Sequence, residues 1–257
     1  MKKPLILISN DDGITAKGIR ALVEVASTLG EVVVVAPDSP QSAQSHAITI
    51  NYPLRIFEKD TFGDIESYAC NGTPVDCVKL ANYVILKDRK PDLVLSGINH
   101  GSNSSINIIY SGTMAAAMEG SLEGIPSIGF SLLDYSPKAN FEACKPYIHQ
   151  LIEFVLEHGI EHSKLLNVNI PNLPTDEIKG MRVCRQANGI WKESFLKKED
   201  PYKRTYYWLT GEFVMEDDGP DSDVHALSEG YISIVPSMHD LTAYKSVEWM
   251  RSLMIKD

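Results

Sequence analysis

Short apolar runs that stop at a glycine, a proline or a polar residue recur through the N-terminal part of the chain. Each run is too short for a helix and lacks the polar alternation of a half-exposed strand, which is typical of buried parallel strands. Between them, residues 17–29 and 141–156 space their apolar side chains as amphipathic helices do. This alternation predicts βαβ units and a mostly parallel sheet flanked by helices. The predicted strands cover residues 5–8, 31–36, 91–97, 127–132 and 165–170.

Other segments interrupt this regular pattern. Residues 47–50, 54–57 and 65–69 are predicted as strands of an antiparallel insertion at the sheet edge. A helix is predicted over residues 73–86, because a threonine followed by a proline suits the first positions of a helix. Residues 98–112 form a long polar stretch without periodicity, and such a stretch inside a compact α/β unit favours a functional loop.

The C-terminal part of the chain has a different character. Residues 181–185, 191–196 and 206–213 read as strands rich in aromatic side chains, and a closing helix is predicted over residues 241–254. We therefore expect one α/β domain over residues 1–257, with residues 1–172 as the core and residues 173–257 as a β-rich extension. Because an isolated hairpin is marginal in water, we expect the aromatic arm to pack on a second subunit, or alternatively on its own core.

Composition narrows the possible partners. The formal net charge of -10 argues against binding to nucleic acid or to an anionic membrane surface. No stretch approaches the length of a membrane span. The four cysteines have no paired spacing for zinc or redox chemistry, so buried free thiols in a reducing, cytoplasmic location are expected.

The first predicted strand ends in two adjacent carboxylates, Asp11 and Asp12, followed by Gly13. Successive side chains on a strand point to opposite faces, so the two carboxylates converge only if the backbone turns, which Gly13 allows. Two carboxylates held together repel each other unless a cation lies between them. An aspartate–glycine pair is also an ordinary turn, and that alternative stays open.

Two later loops offer matching oxygen ligands. In an open parallel sheet, ligands bind at the carboxyl ends of the strands, where the topology reverses. One such loop carries Ser42 and His46, and another carries Asn99 and His100. Carboxylate, amide and hydroxyl oxygens suit a hard divalent cation such as Mg²⁺ or Mn²⁺. Taken alone, each serine or asparagine is an ordinary loop residue, and the histidines lack ligand-like spacing.

A candidate anion site follows the second of these loops. Ser111, Gly112 and Thr113 precede a helix of small residues, and a helix N-terminus presents backbone N–H groups to an anion. A metal beside an anion site favours phosphoryl chemistry, in which the metal activates water. Asn71 precedes another helix nearby and is a further candidate for orienting phosphate. Thr113 also suits a simple helix cap.

Seven short motifs lie along the chain: SNDDG at 9–13, APD at 36–38, NGTPVDC at 71–77, SGINHG at 96–101, SGT at 111–113, GYISIVP at 230–236 and DLT at 240–242. Together these motifs resemble the SurE family, the stationary-phase survival proteins that act as 5′-nucleotidases. The resemblance implies a Rossmann-like core and a C-terminal arm exchanged between subunits of a homodimer or homotetramer. It also implies a divalent cation, which we expect at one per subunit, held by Asp11, Asp12, Ser42 and Asn99. The implied activity is hydrolysis of nucleoside 5′-monophosphates by metal-activated water.

Other functions stay open at this point. A haloacid-dehalogenase-type phosphatase also begins with a strand ending in acidic residues, but Asn10 stands where its nucleophilic aspartate would be. A dinucleotide-binding dehydrogenase is disfavoured because no Gly-x-Gly-x-x-Gly turn follows the first strand. A broader phosphomonoesterase or exopolyphosphatase, and a metal-dependent nucleotide sensor without turnover, are the remaining alternatives.

Overall fold

One large sheet carries the fold, and the computed structural model describes residues 3–217 and 219–254. The strands are β1 (Leu5–Ser9), β2 (Glu31–Pro37), β3 (Ile56–Glu58), β4 (Glu66–Cys70), β5 (Leu93–His100), β6 (Ser127–Leu132), β7 (Leu165–Ile170), β8 (Met181–Val183), β9 (Gly189–Glu199), β10 (Thr205–Met215) and β11 (Ile232–Ser237). The helices are α1 (Lys17–Leu29), α2 (Pro74–Leu80), α3 (Gly112–Leu122), α4 (Lys145–His158), α5 (Asp223–Ser228) and α6 (Tyr244–Met254). A π-helical turn at Ala81–Ile85 extends α2, and 3₁₀ turns lie at Ser105–Ile109 and Glu142–Cys144.

The sheet has the order β3-β4-β2-β1-β5-β6-β7-β11-β8. The strands from β4 to β7 in this order run parallel to one another. From β1 the chain builds outwards through β2 to β4 and then returns to β5 on the other side of β1. The topology therefore reverses between β1 and β5, which is where an open α/β sheet binds ligands.

Helices cover both faces of the sheet. On one face α1 packs with α4, and on the other α2 packs with α3. The side chains of β1 show why the strand is apolar throughout: Ile6 and Ile8 enter the cluster beneath α1 and α4, whereas Leu5 and Leu7 enter the cluster beneath α2. A strand buried on both faces cannot alternate in polarity. The expected α/β class with a mostly parallel sheet is confirmed.

The edge insertion differs from its prediction. Residues 47–50 form no strand, because their backbone bonds to the start of α2 instead: Thr73 Oγ1 donates to the Ala47 carbonyl at 2.8 Å, and the Thr49 N–H donates to Asp76 Oδ1 at 3.1 Å. Only β3 is antiparallel to its neighbour β4, while β4 itself pairs parallel with β2. The prediction was wrong for residues 47–50 and for the pairing of β4 with β2, whereas the two other strands form and pair antiparallel with each other at the sheet edge.

The C-terminal part of the chain joins the same sheet. β11 pairs antiparallel with β7, and β8 pairs with β11 at the edge. Among the strands of the described residues, only β9 and β10 lie outside this sheet, and they form a two-stranded antiparallel arm whose side chains are mostly exposed. α6 has no buried residue.

Two predictions about composition can be compared with the structure. The four cysteines, Cys70, Cys77, Cys144 and Cys184, are buried and free. Within residues 3–217 and 219–254, no helix has the length and apolar character needed to cross a membrane.

Candidate active site

A cavity of about 300 Å³ opens at the carboxyl ends of β1, β2 and β5, at the point where the topology reverses. It brings together side chains from loops far apart in sequence, and we call it the central cavity. Its lining consists of Asp11, Ser42, Ala43, Asn99, His100, Gly101, Ser102, Asn103, Asn107, Tyr110, Ser111, Tyr135 and Trp191.

Asp11 is the most buried carboxylate of the cavity, with only 4% of its surface exposed. Burial raises its pKa from 3.8 to about 6, and the neighbouring charge of Asp12 adds to the rise. Hydrogen bonds from the Thr113 hydroxyl, which donates to Asp11 Oδ1, and from the Thr113 backbone act in the opposite direction. The N-terminus of α3 is therefore directed at this carboxylate.

Asp12 lies beside it in a less buried position. Burial again raises the pKa of its carboxyl, and His100 opposes the rise. The backbone N–H of His100 donates to Asp12 Oδ2 at 3.4 Å, and the His100 ring packs edge-on against Phe141. The end of β5 thus holds the second carboxylate next to the first.

The loop after β2 is fixed to the cavity by backbone bonds on both sides of Ser42. The Gln41 N–H donates to the Asp11 carbonyl at 2.7 Å. The Ser45 N–H donates to the Tyr110 carbonyl at 3.2 Å, and the Ser45 hydroxyl donates to the Ile109 carbonyl at 2.7 Å. These contacts bring Ser42 to the cavity wall without any regular secondary structure.

Asn99 reaches the cavity because β5 is irregular near its end. The pairing of β5 with β6 shifts in register between Ser96 and Asn99, and such a bulge re-aims the side chains that follow it. Asn99 Nδ2 donates to the Gly101 carbonyl at 2.9 Å. Because the amide nitrogen is used in this bond, the side-chain oxygen is the atom that can face a cation.

Helix α3 approaches Asp11 closely at its first turn. Ser111 is the N-cap, and its hydroxyl oxygen accepts a bond from the Met114 N–H at 3.0 Å. A Cβ at Gly112 would lie 2.8 Å from the Asp11 Cβ, so any side chain at this position would push the helix away. Glycine is what lets the helix N-terminus lie against the carboxylate.

Comparison with known proteins identifies the family of the chain. Residues 6–193 match the family described as Survival protein SurE. The chain belongs to the SurE family.

Members of the SurE family resemble the chain over its full length. A protein named 5′-nucleotidase SurE from Christiangramia forsetii is 57% identical, covering 100% of this chain and 99% of that protein. One of the same name from Bacteroides fragilis is 48% identical, covering 98% of each. The crystal structure of the SurE protein from Aquifex aeolicus superposes with a TM-score of 0.84 at 43% identity, covering 98% of this chain and all of that one.

Five candidate residues are not part of the central cavity lining. Asp12, Gly112 and Thr113 lie beside Asp11, whereas Asn71 and His46 make contacts of their own. The Asn71 side chain accepts a bond from the Arg55 N–H at 2.7 Å and donates to the Pro53 carbonyl at 3.4 Å, so it holds the neighbouring loop. His46 Nε2 lies 2.8 Å from the buried Glu119 Oε2 on α3. A role for Asn71 in phosphate binding stays a prediction.

Several residues of the central cavity were not predicted from the sequence. A buried network of polar side chains holds one of them in place. The Asn103 side chain donates to Ser131 Oγ at 2.8 Å, and its backbone N–H donates to Asn169 Oδ1 at 2.8 Å. Asn167 Nδ2 donates to the Asn103 carbonyl at 2.8 Å. The sequence does contain a signal for this network. The otherwise apolar β7 carries two asparagines two positions apart, and that spacing places both side chains on one face of the sheet.

A second network joins the cavity to the C-terminal region through Asp223. This fully buried carboxylate accepts bonds from the Ser105 N–H at 2.8 Å and the Ala187 N–H at 2.9 Å. Ala187 lies just before the arm, which carries Trp191 to the cavity. Asp223 therefore fixes both the 3₁₀ turn and the base of the arm.

The residues present suit the divalent cation that the SurE family implies. Within residues 3–217 and 219–254, no group of three or more histidine, cysteine, aspartate and glutamate side chains is placed to hold a metal. Two carboxylates with serine and asparagine oxygens form a hard, all-oxygen donor set, which fits Mg²⁺ or Mn²⁺ better than a soft metal. A cation at this place would favour the ionised form of Asp11, which burial disfavours.

Proposed function

We infer that this chain is a metal-dependent 5′-nucleotidase, which hydrolyses nucleoside monophosphates to nucleoside and phosphate. The observation that carries this inference is the carboxylate pair Asp11–Asp12 at the topological switch point, facing the N-terminus of α3. The full-length SurE relatives that carry the name 5′-nucleotidase support the substrate class.

We propose that Asp11, Asp12, Ser42 and Asn99 hold one divalent cation, Mg²⁺ or Mn²⁺, in each subunit. A cation there supplies positive charge to the phosphoryl oxygens and activates water for attack on phosphorus. Asp11 and Asp12 act through this charge, and Ser42 and Asn99 complete the donor set with neutral oxygens. Three of the four line the central cavity, and the fourth, Asp12, adjoins it through the end of β5.

We propose that the first turn of α3 orients the phosphate. Ser111 lines the cavity, and the N-terminus of an α-helix carries partial positive charge that favours an anion. Gly112 and Thr113 bring this turn to within contact of Asp11, so phosphate and cation would share one wall. We include Asn71, which lies shortly before α2, as a further residue that orients the phosphate.

Phosphate release with and without metal tests the proposal. The purified chain is treated with chelator, and Mg²⁺ or Mn²⁺ is added back, with nucleoside monophosphates and simple phosphate esters as substrates. Activity is expected only with added metal. Asp11→Asn and Asp12→Asn are each expected to lower the rate by on the order of 100-fold or more, because each removes a charge that holds the cation.

Asp60→Asn is the matched control, since Asp60 is exposed in the loop between β3 and β4. Its rate should equal that of the unaltered chain. Full activity in chelator, or near-native rates for both active-site variants, would contradict the metal assignment. Hydrolysis of simple esters at the same rate as nucleotides would instead indicate the broader phosphomonoesterase.

A further inference from the structure

A second cavity adjoins the central cavity on the side of the arm. It has a volume of about 310 Å³, and we call it the aromatic cavity. Ala43, Tyr110 and Trp191 line both cavities, so the two adjoin at these residues. Glu193, Leu209 and Thr210 of the arm complete its walls.

The aromatic walls are held in place yet accessible. Trp191 Nε1 donates to Asn107 Oδ1 at 2.8 Å, and the Trp191 ring packs against Phe213 with the ring centroids 5.5 Å apart. Even so, 43% of Trp191 and 49% of Tyr110 remain exposed. Large aromatic side chains that are fixed on one edge and open on another offer a surface on which a planar group can pack.

The charge of the aromatic cavity restricts what enters it. Glu193 contributes a carboxylate, and the described residues that line the cavity include no lysine or arginine. A carboxylate repels phosphate, so a second phosphoryl group is disfavoured in this place. A neutral, planar group that carries N–H donors is favoured, because a carboxylate accepts hydrogen bonds only.

We propose that the aromatic cavity binds the base of a nucleoside monophosphate, with Trp191 and Tyr110 as specificity-determining residues. The proposal rests on the proposed function, which places the phosphate of the same molecule in the central cavity. Because the two cavities share three lining residues, a substrate with its phosphate in the central cavity would place its base at the aromatic cavity. Aromatic stacking is tolerant of base identity, so the site accepts purines and pyrimidines and mainly separates nucleotides from phosphate esters without a base.

The test compares two substrates that differ in the base. Values of kcat/KM are measured for adenosine 5′-monophosphate and for ribose 5-phosphate, with Mg²⁺ or Mn²⁺ present. In the unaltered chain the nucleotide is expected to be the better substrate. Trp191→Ala is expected to lower the ratio of the two values by about 10-fold or more, mainly through KM, since the lost stacking acts only on the base.

Two further variants separate stacking from folding. Trp191→Phe keeps an aromatic face and should retain most of the ratio. Phe154→Ala removes an exposed aromatic side chain from α4, outside both cavities, and should leave both kcat/KM values unchanged. Adenosine added as an inhibitor should compete with the nucleotide in the unaltered chain and much less in Trp191→Ala.

The outcomes distinguish this proposal from the proposed function. If the unaltered chain hydrolyses neither substrate with metal present, the proposed function fails. If it hydrolyses the nucleotide but Trp191→Ala lowers both kcat/KM values equally, or leaves adenosine inhibition intact, the base does not bind in the aromatic cavity.

Discussion

Asp11 illustrates how one residue sets the balance between stability and activity. Folding raises its pKa from 3.8 to about 6, so the folded protein binds this proton more tightly than the unfolded chain does. The free energy of unfolding therefore falls as the pH rises from about 4 to about 6, and stays lower above that range. A shift of about two pKa units corresponds to roughly 3 kcal/mol.

Replacing this carboxylate should stabilise the metal-free protein. In chelator at pH 8, we expect Asp11→Asn to raise the free energy of unfolding by about 1–3 kcal/mol, because an amide carries no charge to bury. The advantage should shrink towards pH 4, where the carboxylate of the unaltered chain is protonated. Urea denaturation at both pH values measures it, with Asp60→Asn as control, and a less stable variant at pH 8 would disprove the interpretation.

Metal binding should offset the loss of stability that the buried, ionised Asp11 carboxylate causes. The size of this effect should depend on pH. Protons compete with a cation for Asp11, so the rise in melting temperature on adding Mg²⁺ or Mn²⁺ should be larger at pH 8 than at pH 5. Thermal melts of the unaltered chain in matched buffers measure the difference. An equal rise at both pH values would mean that a group with a different pKa controls binding.

Asn10 leads to a prediction about the course of the reaction. Its amide nitrogen donates to the Gly13 carbonyl at 3.0 Å inside the turn, and an amide is not a nucleophile that forms an aspartyl-phosphate. We expect direct attack by water, so a substrate made chiral at phosphorus should give phosphate of inverted configuration. Net retention, or a phosphorylated residue found by mass spectrometry, would contradict direct attack.

At the scale of elements, the loop that carries Ser42 depends on a buried glutamate. Glu119 of α3 pairs with His46 and with Lys79, although only 2% of Glu119 is exposed. These partners lower the pKa of Glu119 against the effect of burial, so the carboxylate stays charged. Helix α3 thus holds the loop through the contact of Glu119 with His46, while its first turn lies against Asp11.

Weakening this anchor should affect metal binding more than the chemistry itself. We expect Glu119→Gln to raise the metal concentration that gives half-maximal activity severalfold and to lower stability by about 1–3 kcal/mol, since a buried charged pair loses one partner. Metal titration of phosphate release, together with thermal melts, checks both expectations.

Glu123→Gln is the matched control, because Glu123 ends the same helix at the surface and pairs with Tyr83. An unchanged metal requirement in Glu119→Gln would show that the loop holds its place without the anchor.

Some elements follow from local pattern and others do not. The span of α1 was predicted from its apolar spacing, because the pattern repeats over several turns and ends at Gly30. Residues 47–50 look like a strand but bond to Thr73 and Asp76, which are remote in sequence. The oxygen-bearing candidates of the central cavity could be predicted as α1 was, because they follow strand ends that are visible in the sequence. Trp191 and Asn103 reach it only through tertiary contacts.

At the scale of the whole molecule, the arm and α6 expose a large apolar surface. Phe195, Tyr207 and Trp208 are each at least 60% exposed on the arm, and Trp249 is 63% exposed on α6. Monomeric proteins rarely leave apolar patches of this kind open, and closed symmetry is the usual arrangement of soluble oligomers. We propose that the arm packs on another subunit of a homodimer or homotetramer.

Shortening the arm tests this assembly without removing the aromatic cavity. Leu196 pairs with Trp208, so a short Gly-Ser linker replacing residues 196–208 leaves Trp191, Glu193 and residues 209–211 in register. Light scattering is expected to show a dimer or tetramer for the intact chain and a smaller, less stable species for the shortened one. A monomeric intact chain at micromolar concentration would refute the proposal.

The strand order of the sheet could be predicted only in part from the sequence. The parallel pairing of the core strands follows from the strand–helix alternation and the handedness of its crossovers. The antiparallel addition of β11 next to β7, with β8 outside it, could not be predicted, since it depends on long-range pairing and not on local pattern. The C-terminal extension is partly a continuation of the main sheet.

Asp223 has a consequence for the order in which the protein matures on the ribosome. It follows Ser105 by 118 positions, yet its carboxylate fixes the turn at Ser105 and the backbone at Ala187. During translation, the N-terminal carboxylates are synthesised first and Asp223 is synthesised well after them. A nascent chain that stops before Asp223 therefore has every proposed metal ligand, but its turn at Ser105 and its backbone at Ala187 still lack the carboxylate that fixes them.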